Sequence, residues 1–194
     1  IVLALSLGGS LSTALAAGLG LLAATGFALI LLWAERRAPG RLMPAGGLNP
    51  MTSFGALFAC VALHLIGMQP ETFIPYFLQH LHGQGPLIAG YMGALMALGW
   101  TLASMGSAHF TGGRADATLR RGPLISLAGM LIQIWMLPQT GGGWPGLSLI
   151  GLGLAMVGFG IGHCWPHLTT AIFRDAPESQ QDLAAGAVTT VQLF

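Results

Sequence analysis

The sequence contains very little charge. Charged residues make up 7% of its 194 positions, and it has no lysine, so its seven cations are all arginines. An average soluble domain is about 25% charged, and a soluble protein of this size could not cover its surface with so few charges. The net charge of +1 also argues against a nucleic-acid partner, because nucleic acids are bound through many cation–phosphate contacts.

Cysteine is nearly absent. The two residues, Cys60 and Cys164, lie in apolar runs and form no C-x-x-C pair, which argues against a disulfide framework and against a metal site built on such a pair. We interpret both as buried apolar side chains. His163 and His167 are four residues apart, so they could bind a metal ion on one helix face. The alternative is that they are simply histidines at the cytoplasmic end of a helix. No further ligand follows at a useful spacing, so we predict no bound metal and no cofactor.

Two signatures of membrane-embedded enzymes are missing. The sequence contains no H-E-x-x-H, which a membrane metalloprotease would need. Ser104 lies in LASMG, which does not have the first glycine of G-x-S-x-G. We therefore do not expect an enzyme.

Long apolar runs dominate the sequence instead. Hydrophobic residues make up 54% of it, and there are 30 glycines. Runs of about 20 apolar residues can cross a membrane, so we predict an all-α, polytopic membrane protein. Residues 1–33 would hold the end of one span and one full span, 34–51 a linker, and 52–194 four full spans (about 52–80, 86–110, 123–139 and 146–167) with a fifth beginning at 183.

Two further patterns concern packing and length. Small residues recur every fourth position in two stripes of the span 86–110, which favours close helix packing; the stripes are Ala89, Gly93, Ala97 and Gly99, Ala103, Ser107. The run from 183 would reach about 18 Å as a helix, against about 30 Å for a full crossing. We therefore expect the chain to be an internal piece of a longer protein.

The arginines predict the orientation in the membrane. They fall in the segments 34–51, 111–122 and 169–182, and two predicted crossings separate each segment from the next. The opposite turns, 81–85 and 140–145, carry no charge. By the positive-inside rule the arginine-bearing segments face the cytoplasm, which predicts an integral protein of the plasma (inner) membrane.

Two prolines interrupt the span 52–80. Pro70 and Pro75 have no N–H, so each leaves the carbonyl four residues earlier, Ile66 or Glu71, without its helical partner. Within lipid such a break persists only where protein or a water-filled cavity satisfies it. The sequence therefore predicts a helix break beside a cavity.

Glu71 is the only acidic residue outside the predicted cytoplasmic segments. A carboxylate in mid-bilayer costs about 2.5–3.5 kcal/mol, and His64 lies seven residues earlier, on the same face if the helix continues. We hypothesise that Glu71 binds a coupling proton or a cationic substrate, with His64 nearby. Alternatively, it is a wetted carboxylate at the outer mouth or caps the outer half-helix. Gln79 either faces the substrate path or, like Gln133, satisfies a neighbouring backbone group.

The segment 111–122 carries the most specific pattern. It reads TGGRADATLRRG, with Gly112, Asp116 and the pair Arg120-Arg121 at fixed offsets. This resembles the loop signature of the major facilitator superfamily, G-x-x-x-D-x-x-G-R-[RK], which joins the second and third helices of a six-helix half. A degenerate copy recurs in the other half of that family, and Leu119 at the second glycine position is typical of such a copy.

The same segment suggests a cytoplasmic latch. Asp116 can pair with Arg120 or Arg121, or cap a neighbouring helix, and so hold two helices together beside Gly112. The alternative is a solvated loop whose arginines only fix the orientation.

Other stretches of the sequence resemble one branch of this superfamily in particular. WAERRAPGRLMP, IPYFLQHLHGQGPLIAGYMGAL and the final LAAGAVTTVQLF are similar, in order and spacing, to the drug:proton antiporter branch with fourteen helices. Two extra helices precede a linker of this type there, and the last run matches the start of the penultimate crossing. The resemblance implies part of the C-terminal half of a major facilitator-type bundle.

The resemblance also implies a function. We expect secondary active transport, with proton-coupled export of small organic or drug-like compounds by alternating access. The proton gradient would supply the energy, and the partners would be a small-molecule substrate, the lipid bilayer and the N-terminal half of the same protein. A non-transporting scaffold or sensor on the same bundle, and an importer, remain alternatives.

Overall fold

The structure, a computed structural model, describes residues 13–37, 43–140 and 143–193. Within these ranges the chain forms helices and turns and no β-strand. The predicted all-α fold class is therefore confirmed.

The described α-helices follow one another in sequence as α1 (Thr13–Arg37), α2 (Ser53–Met68), α3 (Ile74–His80), α4 (Pro86–Ser107), α5 (Gly113–Met136), α6 (Gly143–Asp175) and α7 (Gln181–Leu193). Short 3₁₀ helices connect α2 to α3 (Gln69–Phe73) and precede α7 (Glu178–Gln180). Three of these segments are long and apolar enough to cross a membrane: Ser53–His80, Pro86–Ser107 and Gly143–Asp175.

The chain divides into two compact units, Ile1–Pro44 and Ala45–Phe194, at a point inside the predicted linker 34–51. In the first unit, α1 has 25 residues and overlaps the full span predicted before residue 34. The guanidinium of Arg37 lies 4.5 Å from the ring centroid of Trp33 at its end. The end of a span that was predicted before this full span, within residues 1–33, lies outside the described residues.

Two of the arginine-bearing segments between the predicted spans, 111–122 and 169–182, are largely helical, which the hydropathy pattern did not predict. α5 begins at Gly113, so most of 111–122 forms its first turns, and α6 continues to Asp175 through much of 169–182. Hydropathy marks where lipid ends, but Ala, Leu and Arg favour helix in water as well. With 33 residues, α6 is about 50 Å long and exceeds a hydrocarbon core of about 30 Å.

The proline break between α2 and α3 is a continuous 3₁₀ junction. The N–H of Gln69 donates to the Ile66 carbonyl, so the carbonyl that Pro70 was predicted to leave unpaired has a partner. Pro75 lies in the first turn of α3, where a missing N–H costs nothing. Beyond the junction, the two fully buried side chains of α3, Ile74 and Leu78, join the main apolar core.

Helix α6 lies between α4 and α5 and packs on both. A Cβ added at Gly158 or Gly162 would collide with backbone of α4, at the carbonyls of Met96 and Trp100. Glycines on another side of α6 meet α5 in the same way: Gly153 approaches the Gly129 carbonyl, and Gly160 approaches the Gly122 carbonyl. Glycine therefore sets the spacing of α6 to both neighbours.

Only one of the two predicted stripes on α4 is used in full. Gly99, Ala103 and Ser107 are buried, and a Cβ on Gly99 would meet the Ala155 carbonyl of α6. In the other stripe Ala89 is buried, whereas Gly93 has open space beside it and Ala97 is exposed. α4 therefore turns a single face toward α6.

Candidate functional site

His64 is held in one orientation inside the bundle. It lies on α2 with 4% of its surface exposed, and its Nδ1 is 2.8 Å from the Cys60 carbonyl oxygen. Because a carbonyl can only accept, Nδ1–H is the donor. In a neutral imidazole the other nitrogen, Nε2, then carries the free lone pair.

That lone pair faces a thiol of α6. The Nε2 of His64 is 3.5 Å from the Sγ of Cys164, and the Sγ of Cys60 is 3.4 Å from Nδ1. A Cβ on Gly122 of α5 would lie 2.7 Å from the Cβ of Cys164, so three helices meet here. Both cysteines, which the sequence suggested were only apolar filling, flank the imidazole.

Glu71 stands apart from this cluster. It lies in the 3₁₀ junction and is half-buried. The regular helix ends at Met68, so the predicted shared face of His64 and Glu71 does not extend to Glu71. In the part of the chain that the structure describes, Glu71 forms no hydrogen bond or ion pair.

The two glutamines differ. Gln133 is 6% exposed, and its Nε2 donates to the Ile150 carbonyl at 2.8 Å, as expected of a group that satisfies backbone. Its Oε1 has no hydrogen-bond partner in the structure. Gln79 on α3 is half-buried and has no side-chain hydrogen bond within the described ranges, so nothing in its surroundings fixes its amide.

The predicted latch residues do not pair with one another. Gly112, Asp116, Arg120 and Arg121 are all exposed, and across the described residues Asp116 forms no ion pair with Arg120 or Arg121. Asp116 instead lies in the first turn of α5, where a negative charge stabilises the helix N-terminus. It is also near enough to Arg174 of α6 to act on that guanidinium electrostatically.

A different set of contacts joins the helices at this end. The Nε2–H of His167 donates to the Ser107 carbonyl at 2.9 Å, and Ser107 ends α4. The rings of His167 and Phe110 are nearly parallel, with centroids 6.4 Å apart, and the Arg114 guanidinium lies 4.7 Å from the Phe110 centroid. His167 and Arg114 therefore flank Phe110, which the motif pattern did not indicate.

The two histidines of α6 have separate neighbours. His163 stacks on Phe159, with centroids 5.7 Å apart, whereas His167 bonds to α4. No group of three or more His, Cys, Asp or Glu side chains within residues 13–37, 43–140 and 143–193 is placed to hold a metal ion.

Pro166 leaves one backbone carbonyl of α6 without its helical donor, and a neighbouring helix supplies a donor. A proline at this position has no N–H for the Gly162 carbonyl, four residues earlier in α6. The Oγ of Ser104 on α4 donates to that carbonyl at 3.1 Å. The rule that was applied to Pro70 and Pro75 would have identified Gly162, but only the fold reveals its donor.

Comparison with known proteins shows one clear similarity. No family model matches the chain, and no solved structure matches it. It is 30% identical over 153 residues to proteins from two strains of Mycobacterium tuberculosis, each named as a probable multidrug-efflux transporter. The match covers 75% of this chain and 32% of theirs. The chain thus resembles multidrug-efflux transporters over most of its own length and spans about a third of the length of these relatives.

Proposed function

We propose that this chain forms part of the C-terminal half of a secondary active transporter of the major facilitator superfamily. The whole protein exports small organic or drug-like compounds by alternating access, driven by a proton gradient. The observation that carries the proposal is the 30% identity over 153 residues to probable multidrug-efflux transporters. The order of its sequence motifs supports the superfamily and the fourteen-helix drug:proton antiporter branch.

The helical packing is compatible with this role. An alternating-access bundle needs helices that stay joined within one half while the two halves rock against each other. Here α4, α5 and α6 pack backbone to backbone through glycines and are linked by hydrogen bonds from Ser104, Ser126 and Gln133 to α6 carbonyls. These contacts favour a rigid unit.

Two groups are proposed to take part in proton coupling. Glu71 is a half-buried carboxylate with no described partner at a proline-marked junction, where binding a proton or a cationic substrate would remove an uncompensated charge. His64 offers one free lone pair at Nε2, directed toward Cys164. Because no hydrogen bond joins Glu71 to His64 in the described residues, we propose that they act at separate positions. Gln79 is a third candidate for contact with substrate.

The proposed orientation places the arginine-bearing ends on the cytoplasmic side of the inner membrane. The arginines of α5 and Arg174 of α6 lie at the same end of their antiparallel pair, because Gly122 meets Gly160 near this end and Gly129 meets Gly153 farther from it. A shared end is what the positive-inside rule expects of arginines that face one side of the membrane.

The test is a flux assay on the full-length transporter. Efflux-deficient bacteria that express it would be loaded with a fluorescent cationic dye, and extrusion would be followed with and without a protonophore. We expect energised cells to extrude the dye and the protonophore to stop extrusion. Dye retention equal to that of cells with empty vector would favour a scaffold or sensor, and net uptake would favour an importer.

A further inference from the structure

Pro166 interrupts the backbone hydrogen bonds inside the continuous helix α6, and a side chain of α4 satisfies the Gly162 carbonyl that it leaves without a helical donor. On one side of Pro166 lies the long apolar part that packs on α4 and α5 through glycines. On the other side lies the segment from Pro166 to Asp175, the cytoplasmic arm, which ends in the Arg174–Asp175 ion pair. We propose that Pro166 is a pivot about which the cytoplasmic arm bends, and that α4 controls the bend.

The local sequence weakens the helix at this point. Prolines and closely spaced glycines are the usual causes of a kink, and Gly160 and Gly162 lie within six residues of Pro166. Just beyond it, the hydroxyls of Thr169 and Thr170 both donate to the Pro166 carbonyl, at 3.1 and 2.7 Å. Back-bonding of this kind bends helices, so bending is easiest around Pro166.

Two hydrogen bonds to α4, which we call the clasp, join that helix to α6 around the base of the arm, in addition to the packing of the arm's buried Leu168 and Ile172. Ser104 donates to the Gly162 carbonyl before the pivot at 3.1 Å, and His167 donates to the Ser107 carbonyl after it at 2.9 Å. The two bonds run in opposite directions between the helices and lie on either side of Pro166. Bending of the arm away from α4 must break the bond from His167 to Ser107. The bond from Ser104 to Gly162 replaces the missing helical hydrogen bond while the helix is straight.

The far end of the arm is connected to the start of the second compact unit, Ala45–Phe194. After α6 and the 3₁₀ turn, the Oε1 of Gln180 accepts the N–H of Ala45 at 2.8 Å. Ala45 begins the turn that leads to α2, and the Asn49 carbonyl of that turn lies against Gly55 in the first turn of α2. Movement of the arm is therefore passed to α2, the helix that carries His64. The use of this movement in transport rests on the proposed function, whereas the pivot itself does not.

Amide hydrogen exchange, measured by mass spectrometry on the full-length protein in lipid nanodiscs, tests the pivot. Ser104→Ala should raise exchange in peptides that cover residues 163–170 by about three- to eighteenfold, the factor that corresponds to one interhelical hydrogen bond in a membrane. Ser126→Ala is the matched control. It removes a similar bond, from α5 to the Val157 carbonyl at 3.2 Å, but Val157 keeps the helical N–H of Ile161, so exchange should change less than about twofold.

Pro166→Ala supplies the decisive variant. It restores a backbone donor to the Gly162 carbonyl, so exchange in the same peptides should fall below wild type. In the Ser104→Ala background it should remove most of the increase. Equal effects of Ser104→Ala and Ser126→Ala, or unchanged exchange in Pro166→Ala, would overturn the pivot. Absence of dye flux in the wild type would count against the transport proposal alone.

Discussion

The Met96 carbonyl oxygen of α4 occupies the place where a Cβ on Gly158 of α6 would stand. The two backbones are therefore in direct contact, and no side chain separates them. This contact and its equivalents at Gly162 and Gly99 fix the distance between α4 and α6.

Gly158→Ala should destabilise the protein, although alanine favours helix over glycine. The added methyl forces α4 away from α6, and overpacking of this kind costs about 1–3 kcal/mol. Gly93→Ala on α4 is the control, because nothing lies within 4 Å of its added Cβ, and it should gain up to about 1 kcal/mol from helix propensity. Denaturant unfolding of the purified protein in detergent measures both. A Gly158→Ala variant as stable as Gly93→Ala would show that the two helices are not in contact.

Glu71→Gln should abolish proton-coupled efflux in the full-length transporter. The substitution keeps the size of the side chain but removes the carboxylate that is proposed to bind the proton or the cation. Glu178→Gln provides the control, since Glu178 is an exposed carboxylate in the 3₁₀ turn before α7. The Glu178→Gln variant should transport at the wild-type rate. Dye efflux driven by an imposed pH gradient is the measurement, and wild-type efflux by Glu71→Gln would exclude Glu71 from coupling.

Thr52→Ala should weaken the start of α2 by about 1 kcal/mol, the usual cost of a lost N-cap. The Oγ1 of Thr52 accepts the Gly55 N–H at 3.0 Å and donates to the Asn49 carbonyl at 2.8 Å. Ser53→Ala, at the next position, removes an exposed hydroxyl with no described partner and should be neutral. The difference in unfolding free energy between the two variants is the readout, and equal values would mean that the cap contributes nothing.

Cysteine labelling should place the two ends of α5 on opposite sides of the membrane. The labelling positions are Arg120 and Thr140, because both side chains are exposed. The nearby Thr118 is buried, so a cysteine there would not react with the label. A membrane-impermeant maleimide added to intact cells should label Thr140→Cys at once and Arg120→Cys only after permeabilisation. The unmodified protein controls for Cys60 and Cys164, and equal labelling of both variants would contradict the proposed topology.

The helical class and the approximate positions of the long helices follow from the apolar runs, because the length of a run reflects the thickness of lipid that it crosses. Helix ends were harder to predict. α5 begins ten residues before Pro123, where hydropathy placed the start of the crossing, because nothing in hydropathy stops a polar helix from extending into water. The loop motif drew attention to Asp116, but the contacts at this end involve Phe110 and His167.

The candidate site depended on contacts between distant residues. His64 and Cys164 are 100 positions apart, and Ser104 and Gly162 are 58 apart. No local pattern pairs them, because the pairing is set by the register of α6 against α2 and α4. The sequence did contain partial signals: Cys60 and His64 have helical i, i+4 spacing, and Pro166 identifies a carbonyl in need of a donor.

The position of α6 between α4 and α5 also bears on how the chain is made. Helices emerge in order during synthesis, and α4 and α5 each direct their small residues at α6, which is translated after both. Until residues 143–175 enter the bilayer, neither earlier helix has the glycine surface that it fits. The bundle is therefore expected to assemble late, once the ribosome has delivered α6, and a protein truncated after α5 should leave α4 and α5 without their shared partner and open to membrane quality control.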